Sequence, residues 1–94
     1  MIDRDTARSD LAHVLERFPE AKVLIRRMFL ADRSFRSVCE DYALARDTLA
    51  RFQAMPNGRQ RPEVADYVSV IAGLEGEIIA FIRNAGGATG TLDP

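Results

Sequence analysis

Two stripes of apolar residues repeat along the second half of the chain. Phe35, Val38, Tyr42, Ala45, Leu49 and Phe52 fall at spacings of three, four, three, four and three, and Val64, Tyr67, Ile71, Leu74, Ile78 and Phe81 repeat the series. Such spacing gathers each set on one face of an α-helix, and it predicts helices over about 34–54 and 62–84. Between them, MPNGRQRP holds two prolines and an Asn-Gly pair, which marks a loop. A short loop makes its flanking helices antiparallel neighbours. Paired that way, Phe35 meets Phe81, Val38 meets Ile78, Tyr42 meets Leu74, Ala45 meets Ile71, Leu49 meets Tyr67 and Phe52 meets Val64. The numbers of every pair sum to 116, so one register satisfies all layers. The expected fold is all-α, a small bundle dominated by this coiled-coil-like hairpin.

The first half predicts two shorter helices. Leu11, Val14, Leu15 and Phe18 share a helical face within about 6–17, and Pro19 ends that segment while pushing Phe18 out of the α region. Pro19 and Glu20 suit the first turn of a second helix, about 19–30, which buries Leu24, Ile25, Met28 and Phe29. Asp32 and Ser34 read as a break and a new N-cap. Asn84 followed by Ala-Gly-Gly reads as a stop, and 85–94 as a disordered tail, so 1–84 forms a single domain.

The last helix carries a second stripe: Ala65, Val68, Ala72, Ile79 and Ile82, with Glu75 in its middle. A helix apolar on two sides needs two neighbours. Either the first two helices fold back over the stripe, or a second copy or another protein covers it. Val68, Ala72, Glu75, Ile79 and Ile82 are the candidate partner-binding residues. Gly73 and Gly76 weaken the helix by about 1 kcal/mol each relative to alanine.

Composition narrows the function. Ninety-four residues with 47% hydrophobic and 29% charged side chains describe one soluble domain. A net charge of −1 argues against a protein built around nucleic acid. A single cysteine fits a reducing, cytoplasmic setting. The charged N-terminus has no signal-like apolar run, and nothing reaches the roughly 20 apolar residues of a membrane span. One local excess stands out: Lys22, Arg26, Arg27, Arg33 and Arg36 surround a single acid, Asp32. They form a candidate patch for an anionic partner, nucleic acid included. Arg26 and Arg33 could equally pair with acids on neighbouring helices.

Catalytic and metal chemistry find little footing. A zinc site needs three or four ligands, and Cys39 and His13 are one of each, 26 residues apart. Cys39 has only Arg36 nearby to favour a thiolate and reads as a half-buried packing residue. Glu40 and Asp41 are adjacent, so on a helix they splay rather than share a proton. Arg36 with Glu40, and Asp47 with Arg51, are spaced as surface ion pairs. No cofactor is expected, and no enzymatic activity.

From Phe18 onward the chain resembles the YdcH-like family of small bacterial proteins. Phe18-Pro19-Glu20, Ile25, Asp32 with Phe35, Glu40-Asp41-Tyr42, Leu44, Leu49, and Leu74 through Glu77-Ile78 follow its FPE-type start, D/N-x-x-F break, E-E-Y-type segment and late L-K-x-E-I-type segment. The resemblance spans about 18–84. It implies an α-helical hairpin, cytoplasmic in bacteria, with no established activity. The chain departs from the pattern in its extra helix within 1–17 and in Glu75, where the family carries lysine. The expected function is a non-enzymatic self-association or protein-interaction module. A nucleic-acid accessory role through the arginine patch is the alternative.

Overall fold

The computed structural model describes the backbone of residues 2–91 and the side chains of residues 10–86. Four helices follow one another: α1 (Ile2–Arg17), α2 (Lys22–Ala31), α3 (Arg33–Ala54) and α4 (Pro62–Thr91). The described chain is all-α. α3 and α4 form the antiparallel hairpin, α1 lies along α3, and α2 crosses the start of α3 and reaches the far part of α4.

The boundaries follow local chemistry. Phe18 leaves the α region at φ −127° and ψ 63°, as a residue before proline must. Pro19–Ala21 then form a 3₁₀ turn, so α2 begins at Lys22 rather than at Pro19. Asp32, not Ser34, caps α3: its Oδ1 accepts from the Ser34 and Phe35 amides at 2.9 and 3.2 Å. α1 starts earlier than the apolar pattern indicates, at Ile2. α4 does not stop at Asn84 but continues through Gly86 to Thr91. Helical glycines cost only about 1 kcal/mol each, and no glycine here turns to positive φ, so none forms the left-handed cap that would end the helix. Of the tail expected at 85–94, residues 92–94 lie outside the described residues.

The core is the predicted seam, closed from one side by α1 and α2. Phe35, Tyr42, Ala45, Ile71, Leu74 and Ile78 are buried together with Val14, Ile25, Phe29 and Cys39. Phe35 meets the Phe81 ring edge-on at 5.2 Å, as the register requires. Phe52 stacks obliquely on Tyr67 at 5.8 Å, one helical turn from Val64. A knob in an antiparallel seam touches two layers of its partner, and the larger ring takes the contact.

The interhelical loop is tight for a stated reason. Asn57 takes the left-handed conformation at φ 59°, and the Gly58 amide donates to the Met55 carbonyl at 2.8 Å. Gly58 is buried so closely that a Cβ there would strike the carbonyl oxygens of Phe52 and Gln53. Gly58→Ala is therefore expected to destabilise the fold by about 1–3 kcal/mol, the range for forced overpacking, as read by urea denaturation.

Candidate interaction surfaces

The residues predicted to bind a partner do not behave as one face. Ala65, Val68 and Ala72 are exposed, and Ile79 is partly so. Ile82 instead packs against the core beside Phe18 and Ala21. Glu75 is engaged inside the chain: its Oε2 accepts from the Tyr42 hydroxyl at 2.8 Å and from Arg17 Nε at 3.1 Å. The reading that the chain covers this stripe itself thus holds for Glu75 and Ile82 alone. The end of α1 and the turn after it reach Glu75 and Ile82, and Ala65, Val68, Ala72 and Ile79 stay exposed.

The network around Glu75 spans three helices. Arg46 donates to the Tyr42 hydroxyl at 2.9 Å and approaches Glu16 at 3.8 Å. Burial, then the bond to Glu75, pushes the Tyr42 phenol above its ordinary value, and Arg46 partly opposes them. Tyr42 is fully buried, so its hydroxyl needs these partners.

The arginine patch divides. Arg36 folds back, donating to the carbonyls of Phe29 and Leu30 at 3.1 and 3.3 Å while its guanidinium lies over the Phe29 ring. It satisfies the orphan carbonyls at the end of α2 and does not pair with Glu40. Lys22, Arg26, Arg27 and Arg33 are exposed, and none forms an ion pair with a described residue. Among the described residues the expected pairing of Arg26 and Arg33 with neighbouring acids does not occur: α1 settles on α3 and leaves the outer side of α2 exposed.

Between α1 and α3 a polar seam replaces the expected surface pair of Asp47 with Arg51. His13 Nε2 lies 3.0 Å from Asp47 Oδ1. Asp10 is buried nearby, and burial, then Glu40 and Asp47, hold its carboxyl above 3.8, with His13 opposing. Cys39 is fully buried rather than half-buried, and burial with Asp10 and Glu40 nearby pushes its thiol up to about 12. Among the described residues no three His, Cys, Asp or Glu side chains gather to hold a metal ion.

Sequence reasoning missed two exposed apolar sites. Leu44 and Val70 flank a groove of about 460 Å³ between α3 and α4, with Asp41 at its edge. Val23 and Leu30 stand out from α2. Leu44 lies two residues after Tyr42, off the stripe. Val23 and Leu30 are seven apart with Arg26 and Arg27 between them, a spacing that could have flagged an outward face.

Folded Asp10 keeps its proton to higher pH than the unfolded chain does. Its contribution therefore favours the fold at acid pH and is lost as pH rises from 3.8 through the raised value. Asp10→Asn is expected to melt higher than wild type at neutral pH, the gap closing as pH falls toward 3.8, in thermal unfolding followed by circular dichroism. No described helix is long and apolar enough to cross a membrane. The chain matches no family model, no curated protein and no solved structure.

Proposed function

We propose that the chain is a non-enzymatic helical module that associates through the outer face of α4, with a second copy or with another protein. One observation carries this reading: α4 has no lysine or arginine from Pro62 to Ile82, and its outward side is small and apolar. Ala65, Val68, Ala72, Gly73, Gly76 and Ile79 are all exposed there, and a Cβ at either glycine would meet open space. A helix with a second apolar stripe beside its core face normally has a second neighbour to cover it. The chain's accessible surface, 6824 Å², exceeds the roughly 5,400 Å² of a compact monomer of 10.5 kDa. The charged and polar side chains that converge, Arg17, Tyr42, Arg46 and Glu75, bond one another, which supports a binding role over catalysis. The reading keeps the cytoplasmic, bacterial setting that the family resemblance implies.

The cations of α2 and the start of α3, unpaired among the described residues, support a second reading, a nucleic-acid accessory protein using Lys22, Arg26, Arg27 and Arg33. It requires binding to labelled oligonucleotides that weakens steeply with salt. Absence of binding at low salt would remove it.

Ile79→Asp tests the first reading. The variant is expected to keep its helical circular dichroism and to associate at least about tenfold more weakly, a loss of about 1.4 kcal/mol or more. Light scattering on a size-exclusion column, over a range of concentrations, reads the mass. Loss of the helical signal instead would make Ile79 part of the internal core.

A further inference from the structure

We infer that the outer face of α2 docks into the groove between α3 and α4 of a second copy of this chain. The inference rests on the reading of the chain as a self-associating module, but it uses surfaces other than the outer face of α4.

The inserted face is built from α2. Val23 and Leu30 are 71% and 79% exposed, more than any other large apolar residue described. Seven residues apart, they lie on one line of the helix, about 10.5 Å from each other. Arg26 and Arg27 stand between them, and Lys22 and Arg33 at the two ends. All four cations are exposed and unpaired among the described residues.

The receiving groove has the complementary character. Leu44 and Val70, 67% and 49% exposed, supply apolar walls above Tyr67 and Leu74. Asp41 lies one turn before Leu44. Asp66 and Glu77 lie four residues before and seven after Val70, so the same flank of α4 carries them. These carboxylates are exposed and form no ion pair with a described residue.

Two segments of the chain carry opposite charge along the same line. Residues 22–36 carry five cations and one acid, a net of +4, and residues 62–82 carry four acids and no cation, a net of −4. The overall charge of −1 conceals this separation. Apolar pair meets apolar pair, and cations meet carboxylates, which sets register and favours encounter.

The two surfaces cannot meet within one molecule. Arg36 and Asp32 lock the corner between α2 and α3, and Ile25 and Phe29 bury the inner side of α2 in its own core. The outer side therefore faces away from the groove's own chain. Every copy offers one face and one groove, so association grows with protein concentration, by chain growth or by a reciprocal pairing of two copies.

The test uses the full chain and two doubly substituted variants, Arg26→Glu with Arg27→Glu, and Asp66→Lys with Glu77→Lys. All four positions are exposed, and circular dichroism checks that both variants fold. Sedimentation velocity should show wild-type mass rising with protein concentration and falling as salt shortens the Debye length from about 30 Å to about 3 Å. Each variant alone should associate at least about tenfold more weakly. Their mixture should recover the wild-type mass, because each reversed face then meets a reversed groove. Variants that associate like wild type would overturn the inference, as would a mixture that stays dissociated. If only Ile79→Asp dissociates the wild-type assembly, this inference fails and the outer face of α4 stands as the interface. A wild-type chain that is monomeric throughout and binds a labelled oligonucleotide through Arg26 and Arg27 would assign the face to nucleic acid instead, also overturning it.

Discussion

The Glu75 carboxylate is held largely away from water, with about a fifth of its side chain exposed, and a charge in that position needs partners. It has two, the Tyr42 hydroxyl from α3 and the Arg17 guanidinium from the end of α1. A hydrogen bond to a charged group is worth about 1.5–3 kcal/mol, which is large for a domain of this size. The geometry matters more than the energy. Turning Glu75 toward α1 and α3 ties α4 to both helices at one roll about its own axis. That roll puts Ile71, Leu74 and Ile78 into the seam and sends Ala65, Ala72, Gly73 and Gly76 outward. The carboxylate and the apolar seam thus agree on which α4 residues meet solvent.

The hairpin was legible in the sequence because a seam is periodic and both of its helices repeat the same series. The boundaries at Pro19, Asp32 and Pro62 were legible because proline and capping aspartate act on their immediate neighbours. The polar partners were not. Tyr42 and Glu75 are 33 residues apart, Arg17 and Glu75 are 58 apart, and nothing local links them. Glu75 therefore reads in sequence as a charged interruption of an open stripe, when it is the bolt that closes part of it. Arg36 misleads for a related reason: counted with its basic neighbours, it is bound to the backbone that precedes it. The end of α4 escaped because the cost of two glycines is smaller than the stop that their pairing suggests.

The functional surfaces are a residue of the same packing. A chain of 94 residues has only a thin core to form, and α1 lies along α3 and reaches α4 only at its end, through Arg17. Two helical faces remain uncovered, one small and apolar along α4 and one basic and apolar along α2. An acidic, apolar groove lies between α3 and α4. Small domains commonly complete their burial by association. Here the charge separation would also make that association directional, since like ends repel and unlike ends attract.

Cys39 gives this molecule an internal clock. Thiol reagents are attacked by the thiolate, and a thiol held near 12 inside the core supplies almost none while the fold is closed. Modification must then proceed through openings that return the sulfur to water. Under slow labelling the rate reports the equilibrium population of the open form, and under fast labelling it reports the rate of opening. The lone cysteine, chemically silent in the closed fold, is thereby a native probe of how often the core opens.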